Sequence, residues 1–194
     1  FVGLDNDPPV AVDDTATVAE ETATTISVLG NDSDIDGNPI AVTAVTAPEH
    51  GSISLVAGVI TYTPADNYFG PDGFDYVIND GFGGTDIGHV TINVTNVNDA
   101  PVAVNDTITT AEDTFVTLNV TLNDTDLDGD TLEVESFTQP AHGTVVFIAA
   151  EARYTPALDY NGPDSFTYKV NDGDGGTATA TVSVTVTAVN DAPV

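Results

Sequence analysis

Asn98-Asp99-Ala100-Pro101-Val102-Ala103-Val104 opens the second of two copies of one sequence unit. The same stretch occurs 92 residues earlier as Asn6-Asp7-Pro8-Pro9-Val10-Ala11-Val12, and its first part recurs 92 residues later as Asn190-Asp191-Ala192-Pro193-Val194. The same shift carries residues 31–37 onto residues 123–129 without a gap. A fixed period of this kind indicates one structural unit repeated in tandem.

Within each copy, short runs rich in Val, Ile, Thr and aromatic residues alternate with Gly, Asp, Asn and Pro. Residues 91–95 and 181–186 alternate with period two, which is typical of strands. In the first copy we expect strands A to G near residues 10–18, 23–29, 40–46, 51–56, 59–63, 74–79 and 87–95. Seven antiparallel strands in about ninety residues predict a Greek-key β-sandwich. The predicted fold is therefore all-β, with two tandem seven-stranded Greek-key sandwiches joined end to end.

The repeat period also predicts the domain limits. We expect residues 1–7 to end a preceding linker, residues 8–98 and 99–190 to form the two repeats, and residues 191–194 to begin the next linker. Phe1–Leu4 does not resemble a signal peptide, and no apolar run reaches transmembrane length. The sequence is therefore expected to be an internal piece of a longer chain.

The charge balance limits the possible partners. The chain has 31 Asp and Glu against 2 Lys and Arg, a net charge of -29, and 41% hydrophobic residues. Nucleic acids and anionic membranes are excluded as partners because both require clusters of Lys and Arg. Two carboxylates about 4 Å apart repel by roughly 1 kcal/mol in water and about 4 kcal/mol at an effective dielectric constant of 20. A folded chain of this composition is expected to bind cations.

The predicted topology places the acidic residues at the ends of the sandwiches. Loops B–C, D–E and F–G should lie at the near end, where a repeat begins, and loops A–B, C–D and E–F at the far end. The near end of the second copy contains Asp124, Asp126, Asp128, Asp130, Asn171 and Asp172. The far end of the first copy and the linker contain Glu20, Glu21, Asp66, Asp72, Asn96, Asn98 and Asp99. These groups are predicted to converge on the junction between the repeats.

Oxygen ligands in this number predict calcium. Ca²⁺ takes six to eight oxygen ligands at about 2.3–2.6 Å, whereas Mg²⁺ prefers a tighter octahedron, and without cysteine no thiolate metal site can form. The predicted ligands at the central junction are Glu20, Glu21, Asp66, Asp72, Asn96, Asn98, Asp99, Asp124, Asp126, Asp128 and Asp172. At the equivalent positions of the outer junctions they are Asn6, Asp7, Asp32, Asp34, Asp36, Asp80, Glu112 and Asp113.

The loop spacing supports a calcium loop that is not an EF-hand. Asp32-x-Asp34-x-Asp36-Gly37 matches the first half of an EF-hand loop, as does its equivalent at residues 124–129. The twelfth position is occupied by Thr43 in the first copy and by Glu135 in the second, and no flanking helices are predicted. The loops are therefore expected to bind calcium from β-strands.

These residues resemble cadherin repeats and, more closely, the cadherin-like and Ig-like tandem repeats of large bacterial surface adhesins. Residues 94–101 resemble the cadherin linker, with Asn96 and Ala100 in place of its first Asp and last Asn. The near-end elements of the family are matched by Asp34 with Asp36, Asp126 with Asp128, Asp80-Gly81 and Asp172-Gly173. Glu20 and Glu112 resemble the acidic residue that closes strand A, whereas the acidic-Arg-Glu element is missing and only Asp66 and Asp72 can replace it.

Two further elements are similar to the bacterial branch: His50-Gly51-Ser52-Ile53 with Thr61-Tyr62-Thr63-Pro64, and the equivalent segments beginning at His142 and Tyr154. The resemblance implies a secreted or surface-anchored protein that acts in adhesion or biofilm formation. Its implied partners are calcium ions and neighbouring repeats of the same chain.

The leading interpretation is a calcium-binding extender or adhesion repeat whose ions stiffen the junctions between repeats. One alternative is a direct binding module, either for polysaccharide or for another cell-surface copy of itself. Tyr68, Phe69 and Tyr160 beside Gly-Pro-Asp sequences are candidates for stacking on sugars. Another alternative is surface acidity without a specific metal, since Asp, Asn and Gly are ordinary turn formers. No catalytic residues are predicted, because no nucleophile has a recognisable base beside it.

Overall fold

The computed structural model describes residues 5–190, and it is all-β across that range. The chain divides into two compact units between Val97 and Asn98, which we call repeat 1 and repeat 2. No helix within the described residues is long and apolar enough to cross a membrane. The all-β prediction with seven strands in each unit is confirmed.

Repeat 1 is a sandwich of two sheets. One sheet has the order β1-β7-β6-β3 and the other has the order β2-β5-β4. The strands are β1 Asp14–Ala19, β2 Thr24–Ile26, β3 Ala41–Val45, β4 Gly51–Val56, β5 Val59–Pro64, β6 Gly70–Asn79 and β7 Thr85–Thr95.

Repeat 2 has the same two-sheet arrangement, with orders β10-β13-β14-β8 and β11-β12-β9. Its strands are β8 Asp106–Ala111, β9 Val116–Asn119, β10 Glu133–Phe137, β11 Gly143–Ile148, β12 Glu151–Pro156, β13 Gly162–Asn171 and β14 Thr177–Thr187.

Period-two alternation creates the core of each repeat, because successive strand residues point to opposite faces of a sheet. In β7, Val90, Ile92 and Val94 are buried and the residues between them are largely exposed. Tyr62 from one sheet and Tyr76 from the other are fully buried in the same cluster. Their equivalents, Tyr154 and Tyr168, occupy the core of repeat 2. The loops of the two repeats therefore extend from two matching cores.

The prediction that all strands are antiparallel is wrong for the first strand of each repeat. β1 pairs with β7 in parallel, and β8 pairs with β14 in parallel. Strand A was predicted at residues 10–18, but β1 begins at Asp14, because Val10 bridges to Ser33 in the β2–β3 loop. From Asp14 the chain follows the edge of β7, and both strands then run towards the far end.

Candidate metal centre

The β9–β10 loop of repeat 2 holds three carboxylates close together. Asp126, Asp128 and Asp130 each offer one oxygen, and these oxygens lie within 4.8 Å of one another. Asp126 Oδ1 accepts hydrogen bonds from the backbone N–H groups of Asp128 and Asp130, at 2.9 and 3.3 Å. Gly129 supplies the positive φ of 81° that the turn requires. The aspartates at every second position of the sequence therefore lie together in a compact acidic loop.

The linker is hydrogen-bonded both to this acidic loop and to the β13–β14 loop. Asn98 Nδ2 donates to Asp172 Oδ2 at 2.9 Å, and the Asp99 N–H donates to Asp128 Oδ2 at 2.7 Å. Asp172 is 5% exposed, and its Oδ1 accepts the N–H groups of residues 174, 175 and 176. Gly176 is required here, because a Cβ would collide with Asp172 and lie 2.8 Å from the Ala100 Cα. We call Asn98, Asp126, Asp128, Asp130 and Asp172 the repeat 2 cluster.

The electrostatics of the repeat 2 cluster show uncompensated negative charge. Burial raises the pKa of Asp130, and the charges of Asp126 and Asp174 raise it further. The Asn98 amide and backbone N–H groups lower the pKa of Asp172 despite its burial. Asp126 Oδ2 is buried without a hydrogen-bond partner. Buried polar atoms are normally paired, so this oxygen favours a ligand such as a cation.

No protein cation balances this charge within residues 5–190. Lys169 Nζ lies 2.7 Å from Glu135 Oε2, and the Arg153 guanidinium lies 4.0 Å from the centre of the Phe115 ring. These are the chain's two Lys and Arg residues. The repeat 2 cluster therefore has the donor chemistry of a hard-cation site: several carboxylates, an amide and a buried free oxygen.

Repeat 1 has an equivalent cluster at its near end, with one carboxylate fewer. Asp34 Oδ1 accepts the N–H groups of Asp36 and Asn38, and Asp34 Oδ2 is buried without a partner. The Asp7 N–H donates to Asp36 Oδ2 at 2.8 Å, in the same way as at Asp99. Asn6 Nδ2 donates to Asp80 Oδ2 at 2.7 Å. We call Asn6, Asp34, Asp36, Asn38 and Asp80 the repeat 1 cluster.

Asp32 and Asp124, also predicted as ligands, take part in a different group of hydrogen bonds. Tyr76 Oη lies 3.1 Å from both Asp14 Oδ2 and Asp32 Oδ1, and the Val12 N–H donates to Asp32 Oδ1. Tyr168 Oη lies 3.1 Å from Asp124 Oδ1 in repeat 2. These two carboxylates therefore anchor the β2–β3 and β9–β10 loops to a core tyrosine.

Sequence reasoning missed Asp14 and Asp106, the acidic residues at the starts of β1 and β8. Burial raises the pKa of both carboxyl groups, and Asp106 Oδ2 is buried without a hydrogen-bond partner. In the sequence, nothing distinguishes a single Asp at the start of a strand. Its role is recognised from a long-range contact with a tyrosine, such as that between Asp14 and Tyr76 Oη.

At the far end of repeat 1, Glu20 is 2% exposed and its Oε1 accepts the N–H of Val97 at 2.7 Å. Glu112 binds the Val189 N–H in the same way in repeat 2. Asp113 Oδ1 accepts the Asp159 N–H at 3.1 Å. The remaining predicted ligands of this end are exposed: Glu21, Asp66 and Asn96. The buried glutamates therefore tie each far end to the segment through which the chain leaves the repeat.

Asp72, another predicted ligand, is fully hydrogen-bonded. Its Oδ1 accepts the N–H groups of Glu49 and Gly73, and its Oδ2 accepts the His50 N–H and the Tyr62 hydroxyl. Burial alone would raise the pKa of Asp72, but these hydrogen bonds lower it on balance. A carboxylate has about four lone-pair positions, so Asp72 has none left for a metal.

Of the aromatic residues considered for sugar stacking, Phe69 is 49% exposed, whereas the two tyrosines are partly covered. The rings of His50 and Tyr68 stack with centroids 4.0 Å apart, and those of His142 and Tyr160 stack at 4.2 Å. The hydroxyl of Tyr68 donates to the Pro71 carbonyl at 2.6 Å. One face of each tyrosine ring is therefore occupied by a histidine, and these contacts fasten the loop at the far end.

Solved structures with a similar fold include cadherin ectodomains. The human mucin-like protocadherin EC1-2 aligns over 93% of this chain and 98% of its own, with 22% identity and a TM-score of 0.58. Human CDH23 EC21-23 aligns over 93% of this chain and 70% of its own, with 16% identity and a TM-score of 0.57. At these identities the likeness shows the fold alone. An endo-fucoidan hydrolase of glycoside hydrolase family 107 aligns over 29% of its chain with a TM-score of 0.39, which carries no argument.

Among curated proteins, Protein GAMETE EXPRESSED 2 from Arabidopsis thaliana is 35% identical over 81 residues. That match covers 42% of this chain and only 9% of the plant protein. The model of the bacterial Ig domain family matches residues 6–93 and again residues 98–185. Domains of this kind and cadherin-like repeats are typically non-enzymatic. The chain therefore belongs to the bacterial Ig domain family, in two tandem copies with a cadherin-like sandwich fold.

Proposed function

We propose that this chain is a pair of calcium-binding repeats in a larger extracellular adhesion protein, and that the ions stiffen the junctions between successive repeats. Tandem Ig-like domains with a cadherin-like fold support the adhesion-type role. One observation carries the calcium proposal: three carboxylates within 4.8 Å of one another include a buried oxygen of Asp126 that has no hydrogen-bond partner. The repeats have no catalytic role in this proposal.

The repeat 2 cluster would hold the ion through carboxylate and amide oxygens. Asp126, Asp128 and Asp130 supply the charge, while Asn98 and Asp172 connect the linker to the site. Ca²⁺ tolerates an irregular shell of six to eight oxygens, whereas Mg²⁺ needs a near-ideal octahedron. An acidic loop completed by linker groups is better suited to calcium.

The rest of the shell remains a prediction from the sequence. Glu20 binds the N–H of Val97, the residue directly before Asn98. The predicted additional ligands are Glu20, Glu21, Asp66, Asn96 and Asp99 for the central junction, Asp7 for the preceding one, and Glu112 and Asp113 for the following one. We leave Asp72 out, because protein groups occupy both of its oxygens. We also leave Asp32 and Asp124 out, because each binds a backbone N–H and a core tyrosine.

The mechanism is thermodynamic linkage. A cation that binds only the assembled loops stabilises them, and its removal restores the repulsion among the carboxylates. Extracellular calcium modules usually bind with dissociation constants of about 10⁻⁴–10⁻³ M. The junctions would therefore be stiff outside the cell, where calcium is plentiful, and loose where it is chelated.

Isothermal titration of the full chain with calcium tests this proposal, with magnesium as the comparison ion. Asp126→Ala with Asp128→Ala should remove the heat of the repeat 2 cluster, while Asp34→Ala with Asp36→Ala should remove only that of the repeat 1 cluster. Far-UV circular dichroism checks that both variants keep their sandwiches. An unchanged calcium titration in the first variant would show that the acidity is solvated surface without a metal site.

A further inference from the structure

The outer face of the three-stranded sheet of repeat 2 carries a row of exposed apolar side chains. Val146 is 58% exposed and Ile148 is 76% exposed, both on edge strand β11. The strand register places Val146 beside Arg153, and Ile148 beside Glu151, both on the central strand β12. Phe115, just before β9, is 52% exposed. Together these residues form an apolar patch with one positive and one negative charge at its centre, which we call the β12 face.

Arg153 has an unusual position on the β12 face. Its guanidinium lies over the Phe115 ring, 4.0 Å from the centroid, and within residues 5–190 it forms no ion pair although the chain has 31 acidic residues. By contrast, Lys169 is paired with Glu135. Glu151 also lacks an ion pair within that range. Arg153 and Glu151 are two residues apart on one strand, so they point to the same side, roughly 7 Å apart.

The fold itself does not require this pattern. At the positions of Phe115, Arg153 and Glu151, repeat 1 has Ala23, Thr61 and Val59. Both repeats nevertheless form the same three-stranded sheet. Clustered exposed apolar residues on a domain surface often mark an interaction site. The repeat 1 face also has exposed apolar residues, since Val56 is 67% exposed and Val59 is 50% exposed. The Arg–Glu pair and Phe115 are therefore what is specific to repeat 2, and repeat 1 provides an internal control.

We propose that the β12 face is a docking surface for a second copy of this chain. A two-fold axis that crosses β12 between Glu151 and Arg153 would place each arginine opposite the glutamate of the other copy. The same rotation sets Val146 opposite Ile148. If the strands ran in the same direction instead, Arg153 would face Arg153, and like charges directly opposite are destabilising. The charge pattern therefore selects an antiparallel, self-complementary pairing.

Charge also decides the identity of the occupant. An anionic polysaccharide or a strongly acidic partner would meet Glu151 as well as Arg153, and would approach a chain of net charge -29. A second copy carries the same net charge, but it brings one compensating residue for each charge on the β12 face. At about 0.15 M salt the Debye length is about 8 Å, so the paired charges act at contact while distant ones are screened.

Sedimentation velocity of the full chain over a concentration series in calcium buffer tests the pairing. The wild-type chain should form a reversible dimer. Arg153→Glu alone, or Glu151→Arg alone, should raise the dissociation constant at least about tenfold, since each places like charges opposite one another. An equimolar mixture of these two variants should associate again, because one face is then acidic and the other basic. The double swap Glu151→Arg with Arg153→Glu should also dimerise.

Thr61→Glu, the matched change in repeat 1, should leave the dissociation constant unchanged, and thermal unfolding verifies that each variant is folded. The proposal is overturned by a wild-type chain that stays monomeric to its solubility limit, by variants that associate as the wild type does, or by a mixture that stays monomeric. Dimerisation should persist when Asp126→Ala and Asp128→Ala remove the calcium cluster. A failure of the calcium proposal is thereby distinguished from a failure of this one.

Discussion

The repeat 1 and repeat 2 clusters are built around the same backbone hydrogen bonds but carry different charges. In repeat 2, Asp126 Oδ1 accepts two loop N–H groups, and in repeat 1 Asp34 Oδ1 does the same. Four residues after this aspartate, however, repeat 1 has Asn38 where repeat 2 has Asp130. A second carboxylate, Asp174, is replaced by Phe82. Repeat 1 in turn has Asp5 and Asp86 where repeat 2 has Val97 and Ala178. The difference therefore lies within the clusters, where repeat 1 has one carboxylate fewer.

This difference teaches that the acidic residues of one loop have separable roles. Those that accept backbone N–H groups, such as Asp80 and Asp172, maintain the loop shape and are present in both repeats. Asp130 accepts no hydrogen bond among those of the described residues, and burial together with the charges of its neighbours raises its pKa. A residue such as Asp130 can therefore be replaced without loss of the fold. Its replacement can change the metal affinity of one repeat without affecting the other.

The largest expected effect is that of chelation, and it should be greater for repeat 2. A ligand at about 100 times its dissociation constant stabilises a folded state by roughly 2.7 kcal/mol. Removal of calcium should therefore lower the free energy of unfolding of repeat 2 by about that amount, and that of repeat 1 by less. Hydrogen exchange measured on peptides from the β9–β10 and β2–β3 loops, with and without chelator, distinguishes the two. Equal changes of hydrogen exchange in both loops would contradict the difference in calcium affinity that we infer from the charges of the two clusters.

The second prediction concerns the far ends, where the repeats are alike. Asp164 accepts the N–H groups of Ala141 and His142 and the Tyr154 hydroxyl, and Asp72 makes the equivalent contacts. Asp72→Asn or Asp164→Asn should lower the free energy of unfolding of its repeat by about 1–3 kcal/mol, because an amide group then faces backbone donors. Urea unfolding measures this loss, and the two values should agree.

The pH dependence of the Asp72 variant follows from the lowered pKa of that carboxyl group. Stabilisation by Asp72 is fully present above the unfolded-state value of 3.8, and it is lost as the pH falls through the lower folded-state pKa. The stability difference between the wild type and Asp72→Asn should therefore shrink below about pH 3.8. Calcium titration at neutral pH should be unchanged by the substitution. Loss of calcium binding would mean that Asp72 is a ligand, as the sequence alone predicted.

The sequence predicted the fold well because repeat period and strand alternation are local signals. The Asp-x-Asp loops were found in the same way, since their spacing is visible within seven residues. The parallel pairing of β1 with β7 could not be predicted, because it depends on contacts between residues about 76 positions apart. The saturation of Asp72 was missed for a similar reason: its partner Tyr62 belongs to another sheet. Composition shows how many carboxylates are present, but only tertiary contacts show which oxygens are already paired.

The smallest expected effect comes from exchanging the one amide and carboxylate that distinguish the two clusters. Asp130→Asn should weaken calcium binding at repeat 2 by about tenfold, since affinity follows the charge count of the ligands, and the change removes one charge from three carboxylates within 4.8 Å of one another. Asn38→Asp should strengthen binding at repeat 1 by a smaller factor. Asn38 Nδ2 now donates to Asn6 Oδ1 at 2.9 Å, and a carboxylate at position 38 would lose that bond.

Calcium titration of the two single variants and of the combined variant distinguishes the effect of charge from the effect of the hydrogen bonds around each cluster. If charge sets the affinity, the combined variant should exchange the order of the two sites and leave the summed heat of binding nearly unchanged. If the order of the sites stays as in the wild type, the Asn6–Asn38 hydrogen bond and the Phe82 side chain control the affinity, and Phe82→Asp becomes the decisive change. Either result assigns the difference between the repeats to particular atoms, because the backbone hydrogen bonds to Asp34 and Asp126 are the same in both repeats.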